Sequence, residues 1–144
     1  MSERLFVYGT LRRGCDNPWQ RRLAREAHWL GAASLAGELY DLGRYPALVI
    51  AATSQQRVLG DLYRLCDAVT SWRWLDAYEG CGSADRLPHE YRRQCVRVQL
   101  AGGVTAWASV YLYARARPGI EPVPGGDYLA HRARLVAKSR ADHG

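Results

Sequence analysis

Glu79 stands just before the glycine that closes the stretch Asp76-Ala77-Tyr78-Glu79-Gly80. A helix ending there puts partial negative charge beside the carboxyl, and partial burial would raise its pKa toward the range of a general base. The competing reading is a solvated Glu at a frayed helix end. Asp76 either shares its face or lies on the surface. A second candidate stands near the start of the chain, in Tyr8-Gly9-Thr10-Leu11. Gly9 can take backbone angles closed to other residues, so the amides of residues 9 to 11 can converge on one anion, a carboxylate as readily as a phosphate. Arg12 and Arg13 would add to that pull if they turned inward. Tyr8, Tyr91, Tyr111 and Tyr113 form a third set, each able to wall a pocket and supply one hydroxyl hydrogen bond.

Positioning these groups requires definite elements. Arg4 to Tyr8 reads as a strand ended by Gly9, which places Tyr8 at a strand end. Asn17-Pro18 marks a helix start, and Trp19, Leu23, Ala27 and Leu30 recur at helical spacing, giving a helix over 18–28. Short strands follow in "LAGELYDL", "PALVIAA" and "RVLGDLYRL". Gly37 and Gly60 inside two of them suit the strong bending of a small barrel. Asp67 to Gly80 reads as a helix capped at Asp67 or Thr70, with Val69, Trp72, Leu75 and Tyr78 on one face and a stop at Gly80. That helix carries Glu79 in its last turn. Tyr91–Leu100 and Val104–Tyr113 flank Ala101-Gly102-Gly103 as a hairpin, whose second strand alternates small aliphatic with aromatic and hydroxylated residues. A last helix spans about 127–138, capped by Asp127, with a frayed tail beyond it.

The chain has 144 residues, which suits a single domain over 1–144 with one site. No apolar run approaches the ~20 residues needed to cross a bilayer, and no signal pattern opens the sequence, so a soluble cytoplasmic protein is expected with no membrane partner. Cys15, Cys66, Cys81 and Cys95 lack the spacing of a zinc site or disulfide framework, and the four histidines are scattered. The formal charge of +6 comes almost wholly from Arg, yet no basic run exceeds two residues and no aromatic-interleaved RNA signature appears. The expected partner is therefore an anionic small molecule rather than nucleic acid.

Taken in order, "FVYGTLRRG", "GELYDLGRYPAL", "LDAYEG", "EYRR", "AWASVYLY" and "GGDY" resemble the gamma-glutamylcyclotransferase-like family, nearest its gamma-glutamylamine cyclotransferase branch, over roughly residues 4 to 130. The resemblance implies an α+β fold, a small mixed β-barrel flanked by helices, with a cavity at one end. It implies that Tyr8, Gly9, Thr10 and Leu11 grip a gamma-glutamyl head, that Tyr91 and Tyr113 join the substrate site, and that Glu79 is the catalytic acid/base. The reaction so implied releases an amine from a gamma-glutamyl amide or peptide as the substrate's own α-amine closes the 5-oxoproline ring. The nucleophile is tethered, so proximity supplies much of the acceleration, and the reaction needs no metal, cofactor or cysteine. One departure is the connection Cys81 to Glu90, longer and more polar than the family pattern, which would lie over the pocket mouth.

Two other functions compete with this one. A non-catalytic small-molecule binding module would keep the same fold and pocket, since fold does not guarantee chemistry. Nucleic-acid association through the Arg surface would show as salt-dependent duplex binding.

Overall fold

The computed structural model describes residues 3–51 and 55–143. In chain order they form β1 (Arg4–Val7), α1 (Pro18–Glu26), β2 (Ala27–Asp41), β3 (Pro46–Ile50), β4 (Arg57–Leu65), α2 (Ala68–Tyr78), β5 (Tyr91–Leu100), β6 (Thr105–Tyr113) and α3 (Tyr128–His143). The strands pair in the order β3-β2-β4-β1-β6-β5, and a further β2–β5 pairing closes all but β3 into a five-stranded barrel. β1 runs parallel to β6; the other pairings are antiparallel. This is the α+β mixed barrel with flanking helices that the sequence leads one to expect.

Strand periodicity sorts the core into two layers, because successive side chains leave a strand on opposite faces. Phe6 and Tyr8, Val58 and Leu62, and Ala108, Val110 and Leu112 fill the barrel interior with Leu35, Leu39 and Leu48. Their neighbours Leu5 and Val7, Tyr63 and Leu65, and Tyr111 face outward under Leu23 of α1 and Trp72, Trp74 and Leu75 of α2. Both faces of β1 are thus buried, which is why its sequence is apolar without a break.

Several boundaries differ from the sequence reading. α1 stops at Glu26 rather than 28, because Ala27 already pairs with Leu65 in the β2–β4 ladder. The expected helical face therefore breaks up: Leu23 is buried, Trp19 is exposed, and Leu30 lies at a bulge in the long strand β2. In α2 the buried face is Ser71, Trp72, Trp74 and Leu75, and Val69 is 70% exposed. That rotation has a polar cause. The Ser71 hydroxyl and the Trp74 indole both donate to Glu26 Oε1, at 2.7 and 2.9 Å, pinning α2 to the end of α1. α3 continues helical to His143, where a tail was expected. The expected run of β3 to Ala52 reaches past the described residues.

Gly60 serves close packing more than bending. A Cβ there would stand 2.2 Å from the Val7 carbonyl oxygen and 2.6 Å from the Phe6 ring. Only a residue without a side chain lets β4 lie this near β1.

Candidate active site

Near one end of the barrel a cavity of about 410 Å3 collects the groups singled out from the sequence. Tyr8, Gly9, Thr10 and Leu11 line it from the turn after β1, and Tyr78, Glu79 and Gly80 from the end of α2. Tyr91 enters from β5 and Tyr111 from β6. Residues about seventy positions apart thus share one chamber because the barrel brings the end of β1 beside the end of α2.

The sequence around Glu79 fixes where its carboxyl goes. α2 begins with the Asp67 side chain accepting from the Thr70 amide and ends with Glu79 as its C-cap, whose N–H donates to the Leu75 carbonyl at 2.9 Å. Gly80 then turns the chain with φ +71°, ending the helix as the sequence predicted. The carboxyl lies in the cavity wall without an ion-pair or hydrogen-bond partner among the described residues. Removal from water raises its pKa from 4.5 to about 7. Burial is the cause. A carboxyl titrating near neutrality can both take and return a proton at working pH.

Asp76 does not join Glu79 in the cavity. It accepts the Tyr111 hydroxyl at 2.7 Å and a two-pronged bond from Arg93, at 3.0 and 3.3 Å. The Arg93 guanidinium in turn lies 4.3 Å over the Trp72 ring. Tyr111 is thereby fixed as wall, and its carbonyl accepts the Tyr8 hydroxyl at 2.5 Å.

The turn of residues 9 to 13 is stapled from outside. Buried Asp61 of β4 accepts from the Arg13 amide at 3.0 Å, the Arg12 guanidinium at 3.3 Å and the Trp29 indole at 3.0 Å. Arg12 also reaches Asp127, the cap of α3, at 3.0 Å, and Arg13 stacks 3.9 Å from the Trp29 ring centre. Both arginines are therefore committed away from the cavity. Asn17, which caps α1, also donates to the Thr10 carbonyl at 2.9 Å. Asp61→Ala strips the acceptor from three donors at once. It is expected to lower stability by about 3 kcal/mol as the turn loosens, read from thermal melts.

Gly9 differs from expectation: its φ is not positive. What it provides is room, since a Cβ would meet Pro46 Cγ at 3.0 Å. Among the described residues the amides of residues 9 to 11 donate to no backbone acceptor, while the Arg12 amide closes the turn onto the Gly9 carbonyl at 3.2 Å. Tyr113 lies outside the cavity wall, one ring behind, edge-on to Tyr91 at 5.8 Å. Of the connection 81–90 only Glu90 lines the cavity; the segment folds back on itself through Asp85, which accepts the Gly82 amide at 2.8 Å. Missed from the sequence were Arg44, Tyr45 and Pro46, brought in by the β2–β3 turn, with Glu90, whose two oxygens accept the Tyr45 hydroxyl at 3.0 and 2.9 Å. The signal available was the Arg-Tyr-Pro of "GELYDLGRYPAL".

The sequence profile of the family described as gamma-glutamyl cyclotransferase, AIG2-like matches residues 5–130, which spans β1 through the start of α3 and every residue of the cavity. The chain belongs to this gamma-glutamyl cyclotransferase, AIG2-like family. A Vibrio cholerae protein named "Putative gamma-glutamylcyclotransferase" is 34% identical over 130 residues, covering 89% of this chain and 96% of that one. Among solved structures, an AIG2-like protein of Mus musculus is 26% identical with a TM-score of 0.62, covering 81% of this chain and 80% of the other. YkqA of Bacillus subtilis shares the fold, with a TM-score of 0.65 at 23% identity over 96% of this chain; the chain spans 43% of that longer protein. Among the described residues no helix is long and apolar enough to cross a membrane.

Proposed function

We propose that this member of the family is a cyclotransferase acting on gamma-glutamyl amides, with Glu79 as the one general acid/base. The observation that carries the reading is a carboxyl raised to about 7 in the same cavity as the Tyr8–Leu11 turn. The gamma-glutamyl head docks with its α-carboxylate on the amides of residues 9 to 11. Ionised Glu79 takes a proton from the α-ammonium. The free amine attacks the γ-carbonyl, forming the ring C–N bond; the C–N bond to the leaving amine breaks as Glu79 returns the first proton to it, and the second proton, shed by the ring nitrogen through Glu79, leaves on the released amine as its ammonium ion. The products are 5-oxoproline and an amine. Because the nucleophile is already tethered, the protein supplies orientation and proton transfer.

The test is release of 5-oxoproline from a panel of gamma-glutamyl amines by the purified, folded protein; no turnover of any member overturns the reading. The pH profile gives a second check. A base must begin ionised, so kcat/KM is expected to fall about tenfold per pH unit below a midpoint near 7. A flat profile from pH 5.5 to 7.5 removes Glu79 from that role.

A further inference from the structure

A tyrosine hydroxyl has one proton to donate, and once that proton is committed the oxygen can only accept. In this cavity two of the buried tyrosines have committed theirs to backbone carbonyls. Tyr8 donates to the Tyr111 carbonyl at 2.5 Å and Tyr91 to the Pro46 carbonyl at 2.7 Å. The two residues are 7% and 6% exposed, so water cannot easily take over those carbonyls. Both hydroxyls lie within the field of Glu79, whose charge is among the causes that raise their pKa values after burial itself. Two further tyrosines of the wall donate likewise, Tyr45 to Glu90 and Tyr111 to Asp76. Among the described residues Arg44 is the only cation in the wall, and it is exposed. A chain of net charge +6 thus encloses a chamber whose buried side chains offer acceptors and carboxylates. That is the complement of a cation, not of the anion the overall charge suggests.

We propose that Tyr8 and Tyr91 form with Glu79 an ammonium-binding pole, in which the two hydroxyl oxygens accept hydrogen bonds from the protonated α-amine of the bound head group and hold it against the carboxylate. This rests on the gamma-glutamyl reading above. It adds that the site selects the charged amine before any proton moves, and that the two tyrosines are specificity-determining through the direction of their hydroxyl bonds.

The probes are L-glutamate and glutarate, which differ by the α-ammonium alone, with affinities measured by NMR titration of the full chain. The parent protein is expected to prefer glutamate at least about tenfold, as befits hydrogen bonds to a charged group. Tyr91→Phe keeps the ring and removes the acceptor, and is expected to cut that preference about fivefold to tenfold while leaving glutarate affinity unchanged. Tyr8→Phe is expected to do the same. If one variant fails to fold, as judged by circular dichroism, the other decides. Equal weakening of both probes means that the hydroxyls only pack the wall, and overturns the proposal. An unchanged preference in the variants, or no preference in the parent, overturns it as well. The 5-oxoproline assay stands apart from these titrations. Turnover with the wrong binding pattern rejects the ammonium pole alone, and the right binding pattern without turnover rejects the cyclotransferase reading alone.

Discussion

Glu79→Gln is expected to reduce turnover at least about a thousandfold while the protein stays folded and becomes more stable than the parent above pH 7. The amide keeps the size and polarity of the side chain but can neither take the α-ammonium proton nor return one to the leaving amine. The stability change follows from the raised carboxyl, which titrates near 4.5 in the unfolded chain and about 7 in the folded one. Below pH 4.5 both states hold the proton, so the substitution changes little. Between 4.5 and 7 the unfolded chain ionises while the folded one does not, and the parent loses stability with rising pH. Above 7 the folded protein bears the whole cost of a desolvated carboxylate, at about 1.4 kcal/mol per unit of pKa, so the gain from Gln approaches about 3 kcal/mol. Urea midpoints at pH 5 and pH 8.5, parent against variant, read that difference. Equal midpoints at both would mean that the carboxyl is not held out of water. Surviving activity would mean that another group moves the proton.

Gly60→Ala is expected to destabilise the protein by about 3 kcal/mol or more, a large effect for one methyl group. The added carbon would fall 2.2 Å from the Val7 carbonyl oxygen and within 2.8 Å of two Phe6 ring atoms. Neither neighbour can yield cheaply. Val7 pairs with Asp61 in the β1–β4 ladder, and Phe6 is 1% exposed in the barrel interior. Relief requires β1 to move off β4, which displaces Tyr8 and the turn that follows it. The variant should therefore lose activity beyond what its folded fraction explains, measured as kcat/KM per folded molecule beside its denaturation midpoint. A variant with parental midpoint and activity would show that the two strands have slack at this point.

The site was legible where its chemistry is local in sequence. Tyr8–Leu11 and Glu79 each stand at an element terminus marked by glycine, and both prove to line one cavity. Asp61 was not legible, because nothing near it in sequence hints that an acid on β4 will hold a turn fifty residues earlier; its role appears only when β4 lies against β1. Arg44, Tyr45 and Glu90 were hidden for the same reason, being gathered by the β2–β3 turn and the start of β5. Alternation along β6 put Tyr111 and Tyr113 on one face, but Tyr113 pairs across the ladder with Tyr91 and its ring lands there instead of in the cavity. Helix ends were misjudged where tertiary hydrogen bonds override propensity, as with Ala27 joining the sheet and Glu26 turning the buried face of α2.

The bond between Tyr8 and Tyr111 joins residues 103 positions apart, across the parallel seam of β1 and β6. Closing a loop of that length costs about 4 kcal/mol of chain entropy before any contact made by the seam repays it. During synthesis the turn of residues 8 to 11 is made about a hundred residues before its partner strand. The chamber therefore cannot be complete before β6 is in place, and the Tyr8 hydroxyl finds its acceptor only with that strand. Refolding should accordingly be slow for the chain's size, and binding of the glutamate probe should return in step with barrel closure rather than ahead of it.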